Sequence, residues 1–188
     1  MSIKNFFFIF LFMLNLSASE RIISLSPALT EIIYALKKGE ELVATSSYSL
    51  YPKEAKKLPV IGGYENPNLE KIISFHPTLV VGQSFNQNTL EKLNQFGITT
   101  LQLNLKTLKD IKNSIKKLSH KLHKDPNKLI TNIENAIAKA PKNTTPHSVM
   151  IVYGLREDLR GSIYIAGHDI FFEDIIFACG NTNAYTSN

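Results

Sequence analysis

From Arg21 to Leu103 the chain alternates short, continuously apolar runs with stretches in which apolar residues recur every third or fourth position. The first pattern predicts strands buried on both faces, and the second predicts helices with one apolar stripe. Arg21–Leu25 reads as a strand. Pro27–Leu36 reads as a helix with Ser26 as its cap, Pro27 in its first turn, and Ile32, Ile33 and Leu36 as its stripe. Leu42–Thr45 is a second strand and Val60–Ile61 a minor third. Pro67–Phe75 is predicted helical with Asn66 as cap, Thr78–Val81 a strand, Thr89–Phe96 a helix closed by Gly97, and Thr99–Leu103 a further strand. Such alternation implies a parallel sheet covered by helices on both faces, so residues 20–105 are expected to form one α/β lobe.

The pattern then becomes purely helical. Leu108, Ile111, Ile115, Leu118 and Leu122 share one helix face. Asp125-Pro126 restarts a helix, with Asp as cap and Pro in first position, and Leu129, Ile133, Ile137 and Ala140 continue the stripe to Pro141. Gly and Ser are scarce here, so 106–141 is expected to be a helical bridge rather than a flexible linker. Beyond it, Val149–Tyr153 and Ser162–Ala166 read as strands joined by the turn LREDLRG. Asp169–Ala178 reads as a helix capped by Asp169 and closed by Gly180. Two strands and a helix do not close a core alone. Residues 142–188 are therefore expected to be part of a second lobe, packed on the first or completed by further chain.

The N-terminus changes the compartment. Lys4 is followed by the apolar run Phe6–Leu14, and Ser17 and Ser19 occupy the −3 and −1 positions of a cut before Glu20. That order predicts a cleaved secretory leader over residues 1–19, and the run is too short to span about 20 residues of bilayer. No Cys stands at the cut, so no lipid anchor is expected. The net charge of +5 falls to +4 with the loss of Lys4. The remaining basic pairs, Lys37-Lys38, Lys56-Lys57 and Lys116-Lys117, are scattered rather than gathered into a stripe, which argues against nucleic acid as a partner. The single cysteine, Cys179, is in an exported protein a free thiol, an intermolecular partner or half of a pair.

Ligands of open parallel sheets sit beyond the carboxyl ends of the strands. In this chain those positions hold Ser26 and Pro27; Ser46, Ser47, Tyr48, Ser49 and Tyr51; Gly62, Gly63, Tyr64 and Glu65; Gly82, Gln83, Ser84 and Phe85; and Tyr153, Gly154 and Arg156. Four of the seven tyrosines (Tyr48, Tyr51, Tyr64 and Tyr153) fall there, which predicts an aromatic, hydroxyl-rich rim for a large, partly apolar ligand. Tyrosines that merely cover sheet ends are the alternative. No nucleophile elbow, zinc-protease helix or phosphate loop is present, so no catalytic residue is assigned. His120 and His123 share a helix face but stand among Lys116, Lys117, Lys121 and Lys124, which repel a cation, and no metal site is expected. His76 is read as structural, and His168 as a possible ligand contact. Glu70 is either a carboxylate complementing its helix dipole or a docking charge for an arginine pocket on a partner.

Taken in order, RIISLSPALTEIIYAL, VATSSYSLYP and NLEKIISFHPTLVV resemble the periplasmic substrate-binding proteins of ABC importers for cobalamin, ferric siderophores and haem, most of all the cobalamin branch. The match is good over 21–105 and looser to Asn183. The resemblance implies two Rossmann-like α/β lobes bridged by a rigid helix, with small closure around a metal chelate. It implies ligand contacts from Tyr48, Tyr51, Tyr64, Gln83 and Tyr153, with no resident cofactor. It also implies docking of Glu70 on an inner-membrane permease, a periplasmic location and a monomeric state. Tyr64 stands where the cobalamin branch has tryptophan, so the ligand is left open among the three classes. Family members run on past the position of Asn188, which implies a complete first lobe and an incomplete second, and some pair a cysteine at the place of Cys179. A truncated, non-functional relic of such a protein is the alternative, and an enzyme on a doubly wound sheet a remote one.

Overall fold

The computed structural model describes residues 20–154 and 163–185. The leader expected at 1–19 and the LREDLRG turn with Arg156 lie outside the described residues. The elements are β1 (Ile22–Ser24), α1 (Pro27–Ala35), β2 (Leu42–Thr45), α2 (Leu69–Ser74), β3 (Leu79–Gly82), α3 (Gln87–Gln95) and β4 (Thr100–Gln102). They are followed by α4 (Leu108–Lys121), α5 (Asn127–Ala138), β5 (Ser148–Val149), β6 (Val152–Gly154), β7 (Tyr164–Ile165), α6 (Phe171–Ala178) and β8 (Thr182–Asn183).

Strands β1 to β4 form one parallel sheet in the order β2-β1-β3-β4. The continuous apolar runs do what their pattern predicts, because successive residues face opposite sides. Ile22, Leu79 and Val81 point to one face, where Leu29 and Ile33 of α1, Leu36 at its end, Leu118 of α4 and Leu122 at its end complete a core. Ile23, Leu25, Ala44 and Val80 point to the other, against Ile72 of α2 and Leu90 and Leu93 of α3. The first lobe is thus three layers thick, and α4 is one of the helices that close it. Ser26 caps α1 as expected, its Oγ accepting from Leu29 N at 3.3 Å. Val60 is a single parallel bridge to Thr45 rather than a strand.

Four helix starts differ from the sequence expectation, α3 only by opening two residues early, at Gln87 rather than Thr89. Helix α2 begins at Leu69, not Pro67, and its cap is Asn68, whose Oδ1 accepts from Lys71 N at 2.7 Å. Pro67 is instead drawn into a bridge with Gly62. Gly62 has φ +118°, and a Cβ there would stand 3.1 Å from both Asn66 O and Asn68 N. The tight turn therefore takes up the residues that local propensity assigned to the helix. Helix α5 starts at Asn127, with Pro126 in the cap position and Asp125 Oδ1 accepting from Asn127 N at 3.0 Å. Helix α6 starts at Phe171, and Asp169 is not its cap, since that residue has φ +57° and is held by a carboxylate from inside the helix.

The second half is smaller. The expected strand Val149–Tyr153 divides in two, because its halves find different partners. β5 pairs parallel with β8, and β6 pairs antiparallel with β7. Helix α6 is tied to the first lobe at the start of α4, where Phe171 N donates to Lys106 O at 2.6 Å and Asp174 Oδ2 accepts from Leu108 N at 2.8 Å. Helices α4 and α5 enclose an apolar groove of about 200 Å³, lined by Leu108, Ile133, Ile137 and Ala138, with the Lys112–Glu134 ion pair (3.0 Å) at its lip.

Candidate functional site

The strand order places the topological switch between β1 and β3, since β2 lies on one side of β1 and the chain then crosses to the other. Ser26 and Gln83 follow those two strands, and their side chains meet there, Gln83 Nε2 donating to Ser26 Oγ at 2.9 Å. Gln83 is half-buried and this part of its amide is already engaged.

The loop after β2 is anchored from below. Thr45 Oγ1 donates to Ser49 Oγ at 2.8 Å and lies 2.7 Å from Thr30 Oγ1, which also donates to Ser26 O at 3.0 Å. Ser46 Oγ joins at 3.4 Å. All these residues are buried. The hydroxyls that the sequence suggested for the rim therefore turn inward, where each buried polar group finds a partner. Between the anchors Ser46 and Ser49, Tyr48 adopts the left-handed conformation (φ +69°) and projects outward, 74% exposed. A non-glycine residue holds that conformation only when its surroundings impose it, and here the hydroxyl cluster does so. Tyr51 follows, also exposed.

Tyr64 stands beyond the Val60 bridge. Ser47 N donates to Gly62 O at 2.8 Å and joins its loop to the Tyr48 loop. The Tyr64 ring meets Phe85 edge to face, centroids 5.6 Å apart at 82°. The neighbouring Glu65 carboxylate, as hydrogen-bond acceptor and as charge, pushes the Tyr64 phenol above its ordinary pKa, with smaller contributions from burial and Tyr48. Tyr48, Tyr51, Tyr64 and Gln83 all stand at the carboxyl edge of the same sheet.

Tyr153 belongs to a different group. It lies within β6, its ring stacked on Phe172 (6.1 Å, 19°) and tilted against Tyr164 (6.2 Å). Glu70 is exposed in the first turn of α2. His168 is engaged within the second half, its Nδ1 2.6 Å from Glu173 Oε1. His120 and His123 are exposed, and no group of three metal-ligating side chains occurs among the described residues.

Two side chains at the rim were not assigned a role from the sequence, although Phe85 stands among its post-strand positions. Phe85 was visible as an apolar residue in a post-strand loop, 47% exposed in the structure. Asn86 carried no signal at all, because a polar residue between Phe85 and Gln87 looks like any helix approach. The second half hides a third, Glu173, whose position within an apolar helix was the only hint.

A sequence profile of the periplasmic binding protein family matches residues 22–188. The vitamin B12-binding protein of Vibrio parahaemolyticus is 37% identical over 175 residues, covering 89% of this chain and 62% of the relative. Among solved structures, the periplasmic haem-binding protein of Vibrio cholerae superposes with a TM-score of 0.74 at 26% identity over 88% of this chain and 66% of that one. The periplasmic vitamin B12-binding protein of the same organism gives 0.68 at 29% identity, over 90% and 66%. The matched part of the chain spans 37–63% of the length of such curated relatives.

Proposed function

Because the chain belongs to the periplasmic binding protein family, we propose that it is the substrate-capturing component of an ABC importer, taking a metal chelate of the cobalamin, haem or ferric-siderophore class. The observation that carries this reading is the exposed Tyr64–Phe85 ring pair in loops beyond the carboxyl edge of a parallel sheet, with the exposed Tyr48 on a loop hydrogen-bonded to that of Tyr64. Rings left this exposed on an otherwise well-packed lobe suit a large conjugated ligand. In this reading the chain does no chemistry on its ligand; it binds in the extracytoplasmic space and hands over to a permease. The two-lobe α/β fold is that of relatives that bind vitamin B12 or haem. No helix among the described residues is long and apolar enough to cross a membrane.

The test is titration of the purified protein with haemin, cyanocobalamin and a ferric catecholate, followed by ligand absorbance. Uptake of one of them with micromolar or tighter affinity is expected, and Tyr64→Ala should weaken it about tenfold, equivalent to about 1.4 kcal/mol. Absence of uptake for all three would overturn the reading.

Glu70 is the docking charge in this proposal. It is exposed, and it lies on α2 rather than among the rim rings. Glu70→Arg should weaken association with the permease about tenfold or more, since like charges brought together at an interface cost several kcal/mol. Ligand affinity should stay unchanged. A pull-down of detergent-solubilised permease paired with a ligand titration separates the two effects, and equal loss in both would remove Glu70 from the docking role.

A further inference from the structure

We propose that Asn86 is the positioning residue of this rim and that Phe85 is a ligand-contacting ring set in place by it. The inference rests on the binding function proposed above and adds the device that fixes the rim's geometry. Asn86 is 1% exposed and ends a short turn directly after β3. Its amide serves two loops at once. Nδ2 donates to Tyr64 O at 2.6 Å across 22 residues of chain, and Oδ1 accepts from Gln83 N at 3.0 Å. Its own backbone N–H donates to Gln83 O at 2.9 Å. The side chain therefore ties the backbone that carries Tyr64 to the backbone that carries Gln83 and Phe85.

Gly82 belongs to the same device. A Cβ at that position would lie 3.1 Å from Asn86 Cβ and Oδ1, so the absence of a side chain leaves room for the clamp. The Tyr64–Phe85 ring pair is mounted on the two tied backbones, its planes 82° apart. A flat conjugated ligand stacked on one ring then meets the other edge-on. Both rings are partly exposed, at 39% for Tyr64 and 47% for Phe85, so each keeps surface for a ligand. Preorganisation of this kind lowers the ordering cost of binding.

The experiment is a double-mutant cycle on Asn86→Ala and Phe85→Ala, read by haemin and cyanocobalamin titration and by near-ultraviolet circular dichroism. The chain has no tryptophan, so tyrosine and phenylalanine dominate that spectrum. Each single change should weaken binding about five- to tenfold, and the double mutant should lose little more than either alone, because Asn86 acts through the ring it positions. Additive losses would mean separate roles and would overturn the proposal. In the ligand-free protein, Asn86→Ala should lose the same dichroism component that Phe85→Ala loses; an unchanged spectrum would equally overturn it. Asn86→Ser is neutral and keeps a small polar group at this buried position, but is too short to join Gln83 N to Tyr64 O. Should the alanine variant fail to fold, the serine variant is expected to fold and to show the same non-additivity with Phe85→Ala. If the wild-type chain takes up neither ligand, the proposed function falls and the contact role of Phe85 with it, while the spectrum still decides whether Asn86 sets the ring pair.

Discussion

Leu118→Ala should destabilise the protein by about 2–5 kcal/mol, the range for truncating a fully buried leucine. Leu118 is 0% exposed and packs with Ile22, Leu29, Ile33, Leu36, Leu42, Leu79 and Leu122, which come from three strands and two helical segments. The methyl groups removed lie beneath the sheet, where strands cannot collapse inward without breaking their ladder, so much of the cavity should remain. The effect is diagnostic because Leu118 lies on α4, which the sequence presents as part of a bridge. Urea denaturation followed by far-ultraviolet circular dichroism checks this, with the exposed neighbour Lys117→Ala as reference. A surface change of that kind costs less than about 0.5 kcal/mol. If both variants shift the midpoint alike, α4 does not contribute to the core as described.

Glu173→Ala should cost about 0.5–1.5 kcal/mol, the usual net worth of hydrogen bonds whose donors, His168 and Asp169, keep access to water. The Glu173 carboxylate is buried, its Oε1 2.6 Å from His168 Nδ1 and its Oε2 accepting from Asp169 N at 2.9 Å. Asn183 Nδ2 reaches Oε1 at 3.4 Å. These contacts, the His168 bond first and the Asp169 N–H second, hold the carboxyl below its ordinary pKa, against the opposing pull of burial. The sign of the pH dependence follows. A carboxylate with a lowered folded-state pKa contributes stability that is fully present above the unfolded value, about 4.3 for glutamate. That contribution is lost as pH falls from there through the folded value. Melting temperatures of the wild type and Glu173→Gln should therefore differ at neutral pH and converge in this acidic window. Parallel curves across it would show that the carboxylate is not stabilised by these partners. The same contacts explain why Asp169 sits at φ +57° instead of capping α6, since its N–H is claimed by a side chain four residues on.

Much of the first lobe was legible because its signals are local. Ser26 caps α1 in the expected place, and the bounds of β2 match the apolar run Leu42–Thr45. Two of the misplaced starts share a cause. Asn66 and Asp169 are good cap residues by propensity, but a turn in one case and a side chain from within the helix in the other take up the backbone they would have used, whereas Asp125 still binds the first N–H of α5 from one residue further out. At Asn66 the winner is the Gly62–Pro67 bridge, and at Asp169 it is Glu173. Val149–Tyr153 divided for a related reason, because a strand's extent is set by its partners and the two halves pair with β8 and β7.

The candidate site divides along the same line. That Tyr48, Tyr51 and Tyr64 follow strands was readable from apolar runs and turn residues, and in a parallel sheet this puts them at one edge. The direction of a hydroxyl was not readable, and Ser46 and Ser49 turn into the buried cluster with Thr30 and Thr45 instead of facing a ligand.

By itself, the sequence determined a layered α/β lobe, since continuous apolar strands send alternate side chains to two faces and both faces then need helices. It also put Tyr48, Tyr51 and Tyr64 in loops beyond the apolar runs, but it grouped Tyr153 with them, and that ring lies within β6. Only the tertiary structure decided the order β2-β1-β3-β4, and with it which loops stand side by side. The Gln83–Ser26 contact spans 57 residues and the Asn86–Tyr64 contact 22. Periodicity reports how each segment meets its own layer, whereas contacts at such separations depend on how the layers and strands are ordered in space.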